Sequence, residues 1–416
     1  MRSIVLGSGV VGVTTAYYLA KGGHEVHVVD AANEVGADAT GGNAGLIAPA
    51  HSFAWASPRA PGMLLRSLFG EATAIRLKLK PDPRMWSWLL AFLRECTAER
   101  ARRNTIIKLR LCLYSQECLN KLAQEENIDY HAVNNGVLFL FRDPEGLQAE
   151  VSRMSLLAEY GHQHKVLDAE AVLELEPALE PVKHRIVGAV YAPNDASGDA
   201  QLFTRTLAKV CDGLGVTFEL GRKVRALTAD GNRITGVVTD NGRLHGDYYV
   251  LSLGVGSPRL VRTIGVKLPI YPCKGYSATF PIDDRHAPPT IGGVDEETLV
   301  GWSRRGDRLR MTSTADFAGH DRHWRAKDFS SVLRVARELL PKAADYTRGD
   351  YRACLRPMTP DGPPVLGLGP HHNLYYNTGQ GHIGWTMACG SSRAVADLVL
   401  GQKPEIDLAG NEYRWR

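Results

Sequence analysis

At 416 residues the chain exceeds what one compact core accommodates, so two domains are expected, and 44% hydrophobic with 23% charged residues is the balance of a folded globular protein rather than a disordered one. Its formal net charge of +4 comes from Lys and Arg residues dispersed along the chain, with no aromatic-interleaved basic block, which sets nucleic acid aside as a partner. Seven cysteines (Cys96, Cys112, Cys118, Cys211, Cys273, Cys354 and Cys389) form no C-x-x-C and no metal spacing with histidine, so reduced thiols, a cytoplasmic setting and no bound metal are expected, and no apolar run reaches the roughly 18 to 20 residues that span a bilayer.

The first thirty residues carry the densest signal. Ile4-Val5-Leu6 reads as a strand entering Gly7-Ser8-Gly9-Val10-Val11-Gly12, a helical run follows, and Glu25 to Val29 reads as a second strand closed by Asp30. That order is the dinucleotide-binding βαβ unit. Gly7 permits the tight turn, Gly9 lets the backbone approach a pyrophosphate, and Gly12 lets the helix pack on the strand. The helix start at Val10 and Val11 turns free N–H groups toward phosphate, and Asp30, with Ala31 beside it, takes the ribose hydroxyls. A signal peptide is the competing reading, since Arg2 precedes an apolar run. The spaced glycines and the flow into a second strand favour mature structure.

Thr40 to Pro49 is too glycine-rich for a helix and too apolar at its end for a linker, and reads as a loop against which a flat group lies. Residues 54–84 look irregular. Trp86 to Leu93 is apolar at helical spacing; a buried helix is the favoured reading and interfacial membrane docking the alternative. A helix with apolar positions Ile107, Leu111, Tyr114, Cys118 and Leu122 follows, then a strand Gly136 to Phe141, a polar helix around 145–160 and the run Ile186 to Tyr191. Leu202 to Val210 is helical and stops at Gly213. Three strands, Thr217 to Arg225, Arg233 to Thr239 and Leu244 to Leu253, are joined at Asp230-Gly231 and Asn241-Gly242, which are hairpin signals. Further strands are expected over Ile270 to Phe280 and Arg308 to Thr312, then an amphipathic helix from Phe329 to Leu340 stopped by Pro341, and a second glycine-dense region from Leu355 that ends in a helix over 384–400.

Glycine-rich signals at both ends with β-rich sequence between them imply a discontinuous cofactor domain, 1–85, 165–265 and 350–416, interrupted by a substrate domain, 86–164 and 266–349. The expected class is α/β, a Rossmann-like nucleotide-binding domain with an inserted α+β substrate domain built on an antiparallel sheet.

Five segments carry a resemblance over nearly the whole chain: Leu6 to Val13, Asn43-Ala44-Gly45, Tyr271 to Ser277, Leu355 to Gly362, and Gly384 to Ser391. The sequence resembles the small, flavin-bearing D-amino acid dehydrogenase family, in the group that includes D-amino acid oxidase, glycine oxidase and sarcosine oxidase. The resemblance implies FAD in a fold of the glutathione reductase and D-amino acid oxidase type. Asn43, Ala44, Gly45, Leu46 and Ile47 would pass along the isoalloxazine, Gly42 would be a further cofactor-binding position, Val224 would lie by the adenine, and Gly254 would close the strand after the meander. Asp361-Gly362 and the run Gly379, Gly381, His382, Ile383 and Gly384 would complete the site, the run opening a helix that stabilises negative charge on the flavin.

For the substrate, a planar bidentate partner suits an amino acid carboxylate, and the resemblance puts Arg356 in that role, beside the flavin. Tyr276 would add a hydroxyl or cover the substrate, and His382 would contact flavin or substrate. Arg59, Trp302 and His51 are further pocket candidates. The implied activity is hydride transfer from the Cα of a D-amino or D-imino acid to flavin N5, with electrons passed to a quinone or another acceptor. The family more usually has histidine where Gln380 stands and threonine where His382 stands, and 292–317 also diverges, which moves the expectation from D-alanine toward D-proline or cis-4-hydroxy-D-proline. The alternatives are an oxygen-using oxidase that makes hydrogen peroxide and, more remotely, a nicotinamide-dependent or non-catalytic nucleotide-binding protein. Peripheral contact with the inner face of the cell membrane would use the Trp86 to Leu93 helix.

Overall fold

A computed structural model describes residues 1–68 and 75–414. The elements that position the site are, in chain order, β1 (Arg2–Leu6), α1 (Val10–Lys21), β2 (Glu25–Val29), α2 (Ala98–Glu125), β3 (Tyr248–Leu251), β4 (Tyr271–Pro281), β5 (Val300–Arg305), β6 (Arg308–Phe317), β7 (Asp350–Met358), β8 (Leu374–Thr378) and α3 (Gly384–Val399).

The first sheet runs Thr217–Glu219, β2, β1, β3, β8, with Val365–Leu368 antiparallel at the edge and the other pairings parallel. Parallel strands are covered on both faces, which is why Ile4, Val5, Leu6, Val250 and Leu251 are all fully buried. One face takes α1, α2 and α3, whose apolar stripes meet in a single core holding Val13, Leu119 and Met387. A three-stranded meander (Val224–Asp230, Arg233–Thr239, Gly242–Leu244) covers the other through Leu227, Ile234 and Val237.

Two of the expected long strands are split. The stretch 217–225 gives a short strand in the parallel sheet and another in the meander, because the chain turns at Gly221, whose φ of +71° is left-handed. The stretch 244–253 divides between Gly242–Leu244 and β3, passing at Gly246 so close to β1 that a Cβ there would stand 2.8 Å from Ile4 Cγ1.

The second sheet runs β7, β4, β6, β5, Gly292–Asp295, Val137–Phe141, Gly188–Ala192, Lys165–Asp168, with Ile75–Leu77 added beside β6. Its far face packs Trp302, Met311 and Phe280 against the helix Ser330–Leu339. Several segments pack elsewhere than the sequence suggests. Strands 165–168, 188–192 and 350–358 belong to this sheet rather than to the cofactor half, whereas α2 lies in the core of the cofactor half: Gly390 of α3 donates its N–H to Ser115 Oγ at 3.0 Å. Within 54–84, expected to be irregular, Ala60–Leu68 is helical and Ile75–Leu77 is a strand, while 69–74 lie outside the described residues. The Trp86 to Leu93 stretch is a helix, Pro83–Glu95, that buries Met85, Trp88 and Phe92.

Candidate active site

A cavity of about 1000 Å³ lies between the two sheets. At one end the β1–α1 turn approaches it, and glycine is obligatory there for steric reasons. Gly7 has φ +114° and a Cβ would run into the Ser252 carbonyl; a Cβ at Gly12 would run into the Gly7 carbonyl. The start of α1 has no cap from Gly9 and no acid in its first turn; the Val10 N–H, expected to be free, donates to Thr40 Oγ1 at 3.0 Å, and the helix dipole beyond it is left to attract an anion. Asp30 lines the cavity but also braces the loop: Oδ2 accepts from Ser8 N at 2.6 Å and Ser8 Oγ at 2.9 Å.

Gly7, Gly9, Val10, Val11, Asp30, Ala31, Gly42, Asn43, Ala44, Leu46, Gly254, Arg356, Gly381, His382, Ile383 and Gly384 all line this one cavity. Six of the remaining expected positions do not. Gly12 packs behind the turn, Gly45 lies under Ser303 and Arg305, and Ile47 faces the α1–α3 core. Val224 packs on the meander core, Gly379 sits against Thr359, and Asp361 is buried with Arg414, 3.2 Å from Oδ2.

Tyr276 is a correction. Strand pairing puts Cys273 opposite Arg356 and Tyr276 opposite Ala353, so the tyrosine leaves β4 on the face away from Arg356. It is fully buried, and its hydroxyl donates to Asp316 Oδ2 at 3.0 Å. Trp302 is likewise in the far-face core, its Nε1 donating to Ile291 O at 3.0 Å, and Arg59 is exposed away from the cavity.

Near Arg356 the walls are aromatic. Trp55 stacks on His382 with ring centroids 4.6 Å apart, and His51 meets His382 edge-on at 6.0 Å. Burial, reinforced by Arg153, Lys108 and Arg356, holds the His51 imidazole down at about 4. Burial, with Lys108, His51 and Arg356, also holds His382 well below the usual histidine range, so both rings are neutral at pH 7. Among the described residues the carboxylates that line the cavity are Asp30 and Asp38, and Asp38 is paired with Arg322 at 2.6 Å. The segment carrying His51 is pinned from behind: Ala50 N donates to Asp195 Oδ2 (3.2 Å), Ala54 N to Thr105 Oγ1 (3.1 Å), and Lys108 Nζ to Phe53 O (3.1 Å). Trp55 was missed because no periodicity marks the stretch that holds it.

A glycine-lined turn between strand and helix, a mainly parallel sheet with a second sheet beside it, and a cavity lined from both are the features of a dinucleotide-binding oxidoreductase. The family model described as "FAD dependent oxidoreductase" (DAO) matches residues 2–398, and the chain belongs to that family. It is 44% identical over 414 residues to "D-amino acid dehydrogenase 2" of Mesorhizobium japonicum, covering 99% of this chain and all of that one. It is 40% identical to "D-amino acid dehydrogenase" of Bradyrhizobium diazoefficiens, covering 98% and 97%. Among solved structures it resembles glycine oxidase from Geobacillus kaustophilus, with TM-score 0.75, 22% identity and 99% and 98% of the two chains covered. L-proline dehydrogenase from P. horikoshii superposes with TM-score 0.74 at 18% identity, covering 99% and 96%.

The family's FAD fits the residues present. The turn at Gly7 and Gly9 admits a phosphate where a side chain would block it. Three buried polar atoms on cavity-lining residues, Ser252 Oγ, His382 Nε2 and Trp385 Nε1, lack a hydrogen-bond partner among the described residues. Membership sets the nicotinamide-dependent alternative aside.

Proposed function

We propose that the chain is an FAD-dependent D-amino acid dehydrogenase, and the observation that carries this is Arg356 on the cavity wall beside two neutral imidazoles, those of His51 and His382. Full-length relatives that bear that name support the D-configuration. When bound, FAD supplies at N5 the acceptor for a hydride leaving the substrate Cα. Arg356 then fixes the α-carboxylate through a planar fork, and His382 Nε2 accepts a hydrogen from the amino nitrogen. Trp55, stacked on His382, closes the wall and excludes water. Orientation of the Cα hydrogen is the main catalytic contribution asked of these side chains. The compact aromatic wall suits D-proline or cis-4-hydroxy-D-proline over D-alanine. The electrons pass on to a quinone or another acceptor.

Anaerobic titration of the purified yellow protein with D- and L-amino acids, following the flavin band, tests this. Bleaching by D-proline or cis-4-hydroxy-D-proline is expected; a band left unbleached by every D-substrate defeats the reading. Peroxide formed at the rate of turnover in air would make the oxidase alternative the correct one.

Peripheral membrane contact is supported by the outer face of the helix Pro83–Glu95, where Trp86 (44%), Leu90 (58%) and Leu93 (40%) are exposed. Among the described residues no helix is long and apolar enough to cross a membrane. Co-sedimentation with anionic vesicles, lost in Trp86→Ser with Leu90→Ser, is the expected result.

A further inference from the structure

Strands β5 and β6 put Ser303, Arg305, Arg308 and Arg310 on the sheet face turned toward the loop 42–47, with Ser303 paired to Arg310 and Arg305 to Arg308. Arg305 is 1% exposed and Arg310 5%. Arg305 Nη2 donates to Asn43 O at 2.9 Å and to Asn43 Oδ1 at 3.0 Å, and Arg310 Nη1 donates to Ser277 Oγ at 2.9 Å and reaches Asn43 O at 3.4 Å. The carboxylate set against them is Asp199, 3.7 Å from Arg305 Nη1 and 3.5 Å from the exposed Arg308. That carboxylate also caps a helix, accepting from the backbone of Gln201 and Leu202. The Nε of both buried arginines lacks a partner among the described residues.

Burying two guanidinium groups with a carboxylate within ion-pair distance of Arg305 alone of the two is costly and is not a device for stability. A local rule broken in this way marks a functional demand. The demand is legible in the peptide they hold. In a trans peptide the N–H points opposite to the C=O. Donors fastened to Asn43 O therefore turn the Ala44 N–H away from β5 and toward the cavity that Asn43 and Ala44 line. Ser303 Oγ fixes the next peptide by donating to Ala44 O at 2.6 Å.

We propose that Arg305 and Arg310 form a buried cationic bed that polarises the Asn43–Ala44 peptide toward the cavity and raises the reduction potential of FAD held against that loop. The proposal rests on the isoalloxazine lying along 42–47. A hydride brings two electrons and one proton, so one added negative charge has to be stabilised. Fixed positive charge in a water-poor interior does this far better than the same charge in solvent.

The test is the reduction potential of the FAD-loaded protein, measured by anaerobic equilibration with a reference dye. Arg305→Met and Arg310→Met are each expected to lower the reduction equilibrium at least tenfold, about 30 mV for two electrons. Arg285→Met, removing a side chain that is 81% exposed, leaves it unchanged. If a methionine variant does not retain FAD, the lysine variant decides: it keeps the charge and is expected to hold the equilibrium within twofold, and a tenfold fall there overturns the charge argument. Asn43→Ala reports separately on placement, through the visible band of bound FAD. A band that moves while the Met variants keep the wild-type potential overturns the cationic bed alone; a band that does not move overturns the ring's placement and the proposal with it.

Discussion

The guanidinium of Arg356 crosses over Gly275 on the neighbouring strand, where a Cβ would stand 2.5 Å from Nη2 and 2.7 Å from Cζ. Glycine in the middle of an eleven-residue strand weakens it, so its presence reflects the approach of another group. The clash meets the far end of a flexible side chain rather than backbone. Gly275→Ala should therefore leave the fold nearly intact and displace the clamp. With roughly 1.5 to 3 kcal/mol for hydrogen bonds to a charged group at stake, kcat/KM for the D-substrate should fall about 10- to 100-fold, mostly through KM. Steady-state kinetics beside a melting curve checks both halves; a large drop in Tm with unchanged KM is the contrary outcome.

Gly12→Ala should behave in the opposite way. Its Cβ meets the Gly7 carbonyl, and that turn backbone, tied to the sheet by the Gly7 N–H donating to Val29 O at 2.9 Å, cannot readily yield. Overpacking of this kind costs about 1 to 3 kcal/mol, and here it also disturbs the phosphate turn. Purified Gly12→Ala should carry little FAD, read from the ratio of visible to ultraviolet absorbance, and melt earlier.

The two neutral imidazoles give a pH dependence of stability. His51 is held at about 4 when folded against about 6.5 unfolded, so between these values the unfolded chain binds more protons. Stability is thus fully present above pH 6.5 and is lost as the pH falls toward 4. His51→Gln should flatten the fall of Tm over that window relative to wild type.

Lys108 acts at the other end of the scale. Buried in α2 on the Phe53 carbonyl, it is lowered by burial to about 8 from an ordinary 10.5. Unfolding again takes up protons between those values, so the contribution of Lys108 to stability improves as pH rises from 8 to 10.5, by up to about 3 kcal/mol. Tyrosines and thiols titrating nearby pull the other way, so the difference between wild type and Lys108→Met isolates the effect. That difference should shrink as pH rises, in denaturant melts at pH 7.5 and 10.

The phosphate end of the site was legible because its residues are dictated by backbone geometry. Gly7 and Gly12 can be nothing else, and their spacing states the fold. The segment around Arg356 drew attention to it, and it does line the cavity. Tyr276 was not legible, since alternation along a strand says that neighbours face opposite ways but not which face meets the cavity. Arg305 and Arg310 belong to no sequence motif, and only the structure shows them buried and bonded to Asn43. The place of α2 was illegible for a related reason: it has an apolar stripe, and a stripe does not name its partner.

Ser115 and Gly390 sit in helices about 275 positions apart in sequence, yet a Cβ on that glycine would be 2.7 Å from the serine Cα. Anyone grafting a substrate half from a relative onto this scaffold has to respect that contact. A crossover placed ahead of Trp86 would import a foreign α2 and break the helix seam, whereas one placed after Glu125 carries the seam over whole. Exchangeable parts in this molecule begin where the seam ends, well inside what the chain order suggests.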